Sequence, residues 1–268
     1  MAPKGGHKAL RARRQGFSSH SRVPGSSATL PIGINGFGAV AGLYKDARSN
    51  FHGFIRTPSG VITPFDVPGS LYTYPFAING AGAITGAYRT DIDSGFVRSP
   101  TGTFTTFNFP GANNPTIPTG FNAEGDIVGY HFDGPLGAIP HSFIRTADGS
   151  FTSFDPPGVI EGSVAAGIDP CETIVGYYSS PSIAVTSGAL LAPSPCSMSL
   201  GQAVHSRRPL TEWASSGFSR SPSLPHRFAM FDPPGSTLTS PVAISAAGVI
   251  VGNYQDTNGT SHGFLRNP

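Results

Sequence analysis

Ile78-Asn79-Gly80-Ala81-Gly82-Ala83-Ile84-Thr85-Gly86-Ala87-Tyr88, then Ser94-Gly95-Phe96-Val97-Arg98, then Phe104-Thr105-Thr106-Phe107-Asn108-Phe109-Pro110-Gly111, is one copy of a pattern that recurs five times. The same order of residues runs through Ile34, Asn35, Gly42, Tyr44, His52, Phe54, Arg56, Phe65 and Asp66, and through Phe121, Asn122, Gly129, His131, His141, Phe143, Arg145, Phe154 and Asp155. A fourth copy opens at Ile168-Asp169, and a fifth at Ile244, reaching His262, Phe264 and Arg266. Opening residues are 44, 43, 47 and 76 positions apart. A unit of this size cannot bury its own apolar face and must stack on its neighbours, so the period decides the fold.

Within each copy, apolar runs of four to seven residues rich in Ile, Val, Phe, Tyr and Thr are bounded by Gly, Pro, Asn or Asp. These are strand signals, and no helical period extends over eleven residues. The second copy predicts strands over Tyr72 to Ile78, Ala83 to Tyr88, Ser94 to Arg98 and Thr103 to Phe107. Asn79-Gly80-Ala81-Gly82 and Pro100-Thr101-Gly102 supply its tight turns. Four strands in a mid-forties period is the size of a propeller blade, so the expected fold is an all-β propeller of about five four-stranded blades. The chain of 268 residues is 12% charged and carries 35 Gly and 26 Pro. That charge is about half the usual share, but much of the Gly and Pro falls on turns of the repeat, which argues against disorder. Gly42, Gly86, Gly129, Gly176 and Gly252 instead sit inside a strand, where Gly is favoured by a bulge or a close backbone approach.

The run Ile-Asn-x-x-Gly-x-Ile-x-Gly-x-Tyr, then His-Gly-Phe-x-Arg, then Gly-x-Phe-Thr-x-Phe-Asp-x-Pro-Gly resembles the HAF family of probable extracellular repeats. The His-Ala-Phe of that family corresponds to His52-Gly53-Phe54, His141-Ser142-Phe143 and His262-Gly263-Phe264. The resemblance covers Ile32 to about Tyr178 and Gly217 to Pro268. It implies a secreted or surface bacterial protein with a propeller-like fold, and it implies no reaction.

The fifth copy stops after its third strand. Phe17-Ser18-Ser19-His20-Ser21-Arg22-Val23-Pro24-Gly25 is a degraded form of the fourth-strand motif, and the expectation is that it completes the last blade and closes the ring, removing an exposed sheet edge. The alternative is a loose N-terminus on a fragment of a longer array. Residues 1–16 hold Lys4, Lys8, Arg11, Arg13 and Arg14 without an acid and read as a disordered basic arm, preceding a repeat domain over 17–268. Ala9-Leu10 is too short an apolar run for a secretory signal, and nothing approaches the ~20 apolar residues of a membrane span.

Residues 179–216 interrupt the fourth copy. They hold Cys196 and Trp213 and read as a specificity loop, a disordered insertion or the product of a local frame slip. Cys171 and Cys196 either pair or stay free.

His52 and Asp66, His141 and Asp155, and Ser94 and Asn108 each lie 14 apart. By analogy with WD-repeat blades they read as polar ties between third and fourth strands. A ring of His binding metal is the alternative. Arg56, Arg98, Arg145, Arg220 and Arg266 occupy one place in all copies, either as a cationic rim for an anionic polymer or as residues that pair with Asp and cover apolar surface with their stems.

Glu124, Asp126, Asp133, Glu161, Asp169, Glu172 and Glu212 break the repeat, and two of them could serve a glycosidase, but no motif selects a pair. Nucleophile-elbow, phosphate-loop and zinc-protease motifs are missing. The expected function is therefore a non-catalytic extracellular binding or structural module, with no catalytic, cofactor-binding or metal-binding residue assigned. The expected partner is a glycan or another extracellular polymer rather than specific nucleic acid, and the expected state is a monomer. A carbohydrate-active enzyme and a fragment without independent function are the rivals.

Overall fold

A computed structural model describes residues 22–111, 114–133, 139–157, 159, 161–178, 189–191 and 229–268. Every element in it is a strand. Each of four sheets is an antiparallel meander of four strands: Ala28–Ile34 (β1), Val40–Lys45 (β2), Phe51–Arg56 (β3) and Ile62–Phe65 (β4) in the first. The second holds Tyr72–Ile78 (β5), Ile84–Arg89 (β6), Asp93–Arg98 (β7) and Phe104–Phe107 (β8), each within a residue or so of the expected bounds. The third holds Thr116–Phe121 (β9), Ile127–Asp133 (β10), Ile139–Arg145 (β11) and Phe151–Phe154 (β12). The fourth holds Ser163–Ile168 (β13), Ile174–Tyr178 (β14), Ala189–Leu191 (β15) and Ala229–Phe231 (β16). A fifth sheet has three strands, Ser236–Ile244 (β17), Ile250–Asp256 (β18) and Ser261–Arg266 (β19).

First strands of all five sheets line one cavity of about 530 Å³, so the sheets share a centre and the arrangement is a propeller. β15 lies within 179–216 and takes the third place in its sheet. Gly217 to Arg220, Cys196 and the N-terminal arm fall outside the described residues. No helix among the described residues is long and apolar enough to cross a membrane.

The core lies between sheets. Phe54, Phe96 and Phe143, the Phe of the His-Gly-Phe repeat, are at most 1% exposed. Between sheets one and two, Ala41, Phe65, Val67, Ile84 and Phe96 form one cluster; between three and four, Val128, Ile144, Ala165, Ile168 and Ile174 form another. A fully buried Phe contributes about 1.5–3 kcal/mol, which ties each sheet to the next.

The in-strand glycines answer a local need. Each first strand carries a bulge, as between Pro75 and Ala77, which turns a carbonyl toward the second strand. At Gly86 a Cβ would strike the Tyr74 carbonyl, and at Gly129 that of Ile117. The Gly of His-Gly-Phe lies beneath an aromatic ring of the fourth strand: Phe65 covers Gly53 and Phe107 covers Gly95.

Candidate functional site

The repeated polar residues hold the scaffold. Asn79 Oδ1 accepts the Ala83 N–H across its own turn, while its Nδ2 donates to the Asn122 carbonyl of the next sheet (3.2 Å). Asn35 donates likewise to the Asn79 carbonyl (3.3 Å). In the fourth sheet Asp169 accepts from Cys171 and Thr173, and a carboxylate cannot pass a donor onward. This chain of amides between sheets went unread in the sequence, although the Asn opening three copies was its signal.

The repeated Arg residues also act between sheets. Arg98 lies over Phe65 (5.0 Å), Arg145 over Phe107 (4.9 Å) and Arg266 over Phe231 (4.8 Å), each ring belonging to the preceding sheet. Burial draws Arg98 and Arg145 below the usual guanidinium range. Each guanidinium meets an aromatic face of the preceding sheet, while Arg98 also donates to the Ser99 carbonyl (3.2 Å) and Asp148 acts on Arg145 against the effect of burial.

His–Asp ties form where expected, with His52 Nδ1 2.9 Å from Asp66 and His141 Nδ1 2.6 Å from Asp155. They are part-exposed rather than buried, and no bond joins Ser94 to Asn108. The three histidines of the repeat are held differently. His52 is engaged on both nitrogens, with Asp46 3.4 Å from Nε2. His262 is held at Nε2 by Asp256 (3.0 Å). His141 is fixed at Nδ1 alone; its Nε2 has no hydrogen bond among the described residues and lies 4.0 Å from the Asp133 carboxylate.

The third sheet departs from the repeat around that open nitrogen. His131 stands where Tyr44, Tyr88 and Tyr254 stand elsewhere, opposite His141 on β11. Its ring stacks on Phe109 at 3.7 Å and shares Nε2 with Ser153 Oγ (3.1 Å). It is 3% exposed with no hydrogen bond at Nδ1, and Asp133 is 3.9 Å away. Burial first, and then the charge of His141, lower its pKa against the pull of Asp133. Asp155 Oδ1 accepts from Ser163 Oγ (2.6 Å), which also meets Ser142 Oγ (2.7 Å), so the carboxylate orienting His141 is itself held. No group of three metal-ligating side chains among the described residues stands close enough to hold an ion.

Of the acids that break the repeat, Asp126 binds the Asn122 amide and the Ala147 N–H, and Asp169 caps its turn. Glu124, Glu161 and Glu172 are exposed, and Glu212 is outside the described residues. Only Asp133 joins a cluster with other ionisable groups of the site. Cys171 is disulfide-bonded.

The cavity at the shared centre is lined by Ile32, Phe76, Phe121, Val164 and Ile244 among others, with Thr119, Tyr130 and Tyr177 as its polar groups and no charged side chain. Burial raises the Tyr130 phenol pKa, and Tyr177 and Asp93 add to the effect. Tyr130 precedes His131 on β10, so adjacent residues of one strand serve the cavity and the histidine cluster.

No protein-family model and no curated protein matches the chain. Solved structures do. A streptogramin B lyase is 16% identical over 91% of this chain and 70% of its own, with a TM-score of 0.50. A catalytically inactive histidine-to-alanine variant of virginiamycin B lyase from Staphylococcus aureus, with quinupristin, is 14% identical over 91% of this chain and 72% of its own, also at 0.50. These likenesses establish the fold, and they correct the expectation of a non-catalytic module: the same architecture carries lyases. The repeat led to that expectation because it marks the scaffold, whereas a site is built from residues that break it.

Proposed function

We propose that the chain is an enzyme-type propeller that performs acid–base chemistry on a small organic molecule, an elimination or a hydrolysis, with His141 as the proton-transferring group. One observation carries this reading: His141, unlike His52 and His262, is anchored through Nδ1 to a carboxylate while its Nε2 has no hydrogen bond among the described residues. Donation of Nδ1–H to Asp155 places the lone pair on Nε2 and stabilises the imidazolium formed when a proton is taken. His131, buried and with its pKa lowered by burial, backs the pair, and Asp133 stands 4.0 Å from Nε2. Support also comes from the virginiamycin B lyase above, which loses catalysis when one histidine becomes alanine.

The test is turnover of cyclic depsipeptides, lactones and simple esters followed by mass spectrometry, which separates elimination from the gain of water on hydrolysis. His141→Ala should lower kcat by about 10²- to 10⁴-fold, the usual contribution of a positioned acid or base. Undiminished turnover in that variant, or none in the parent on the whole panel, overturns the reading.

We further infer that the five sheets are blades of one ring in an extracellular protein of the HAF type, closed by the segment from Phe17 to Arg22 as fourth strand of the last blade. Val23 to Ser26 makes the turn that Val67 to Ser70 makes between blades. Val23 N–H donates to Thr29 Oγ1 as Val67 N–H donates to Thr73 Oγ1, each at 3.2 Å. Among the described residues no ring lies above Gly263, unlike Gly53 and Gly95.

A further inference from the structure

First strands supply nearly the whole wall of the central cavity, and two tyrosines depart from that rule. Among the described residues every lining residue comes from β1, β5, β9, β13 or β17, except Tyr130 of β10 and Tyr177 of β14. The registers place these two at one level of the fold. Tyr130 lies opposite Ile117 and Tyr177 opposite Val164, each one residue past the in-strand glycine. In the other three sheets the same place holds Leu43, Ala87 and Asn253, and none of those lines the cavity. A scaffold role would repeat in every sheet, as the Phe of His-Gly-Phe does, whereas this pair occurs only on the adjoining third and fourth sheets.

Both hydroxyls remain available. Thr119, the third polar side chain of the wall, gives its Oγ1 to the Ala165 (2.7 Å) and Val128 (3.2 Å) carbonyls. The Tyr130 and Tyr177 phenols carry no hydrogen bond among the described residues. Burial raises the pKa of each, so both stay O–H donors at neutral pH, and Tyr177 acts on Tyr130 across the boundary between their sheets. A hydroxyl drawn out of water favours any acceptor brought to it. The rest of the wall is apolar, with Ile117, Phe121 and Val164 beside the phenols. Lys45 lies over the Phe51 ring (5.6 Å), and neither of those residues lines the cavity. The carboxylate acting on Tyr130 is that of Asp93, whose sign opposes an anion at the phenols. An uncharged oxygen with two lone pairs matches two neighbouring O–H donors, and a volume of about 530 Å³ falls within the range of small-molecule sites.

We propose that the central cavity binds an apolar molecule through a carbonyl oxygen that accepts hydrogen bonds from the Tyr130 and Tyr177 phenols, while Ile117, Phe121 and Val164 enclose its hydrocarbon part. Naming that molecule as the substrate rests on the acid–base reading of His141; binding does not.

The probe is 6-propionyl-2-dimethylaminonaphthalene, an uncharged ketone whose emission shifts on leaving water, titrated into the full chain. Tyr130→Phe and Tyr177→Phe keep their rings and should each raise its Kd by about 2- to 10-fold, the range for losing one hydrogen bond between neutral groups. Tyr254→Phe, at a tyrosine outside the cavity, should stay within about twofold of the parent. 2-Dimethylaminonaphthalene, which has the same rings without the carbonyl, should bind more weakly than the ketone and be indifferent to both cavity substitutions, so a lost contact is separated from a damaged fold. His141→Ala should bind the ketone as the parent does while losing turnover, so failure of the catalytic reading is visible apart from failure of this one. The proposal is overturned by absence of ketone binding, by an unchanged Kd in both cavity variants, by equal losses for the two probes, or by tighter binding of an anionic naphthalene sulfonate.

Discussion

Gly86 has a Tyr74 carbonyl pressed over its α-carbon, and the atoms a methyl group would meet are all backbone. Because β5 cannot swing aside without breaking its ladder to β6, Gly86→Ala should destabilise by about 1–3 kcal/mol or more. For a chain of this size each kcal/mol is about 2–4 °C of Tm, readable by calorimetry. Gly80→Ala, where a Cβ meets open space, should stay within about 0.5 kcal/mol. Histidines give a second test, with opposite signs. Burial opposes protonation of His52, yet Asp66 and then Asp46 raise its pKa. Its contribution is therefore full below the unfolded value near 6.5 and disappears as pH rises through the raised one. His131 is lowered, so its contribution holds above about 6.5 and is lost as pH falls toward the depressed value. Denaturant midpoints from about pH 5 to 8 should show His131→Gln flattening the acid side and His52→Gln the alkaline side. Of these residues the glycines and His–Asp ties were legible in the sequence, because spacing inside one copy reports contacts inside one sheet. The Arg residues were not: Arg98 meets Phe65 from another copy, and a repeat leaves open which neighbour supplies a partner.

The Asn relay joins the first three sheets, Arg–Phe stacks join the first to the second, the second to the third and the fourth to the fifth, and these contacts differ in what they tolerate. Asn79 uses its oxygen within its turn and its amide nitrogen across the sheet boundary. Asn79→Asp keeps the first bond, removes the second and sets a carboxylate against the Asn122 carbonyl. A loss of about 1–3 kcal/mol is expected in urea titration, as for a buried acceptor left without its donor. The fourth sheet already has Asp169 in this place, so Asp169→Asn should cost little by comparison and offers a donor where none exists. Sheet existence and strand order were readable because alternation and turn chemistry are local. The candidate site was readable only in part: His131 in a Tyr position was visible as a break in the pattern, but its meaning depends on its pairing with His141 across β10 and β11.

At the scale of the whole molecule the last sheet and the first bear apolar surface with nothing described against it. Leu265 is 63% exposed on β19 and Ile34 69% on β1, while Ile144 and Ile168, in the matching places of the third and fourth sheets, are 4% and 7% exposed. The closure proposed above would remove that mismatch, with the lead-in turn from Val23 to Ser26 setting its register. In the first sheet Ile55 faces Thr63. Aligning Val23 with Val67 makes Ser19 the counterpart of Thr63, and Leu265 stands where Ile55 does, so Ser19 should lie opposite Leu265. Ser19→Cys with Leu265→Cys should then form a disulfide under mild oxidation, identified by peptide mass mapping, whereas Ser19→Cys with Thr106→Cys should not. Backbones of paired strands come close enough for such a bond, and positions on unrelated blades do not. The bridge should raise Tm, because it shortens the freedom of a loop spanning nearly the whole chain in the unfolded state. Equal yields from both pairs, or a bridge that lowers Tm, would place the N-terminal segment elsewhere and leave the seam to another occupant.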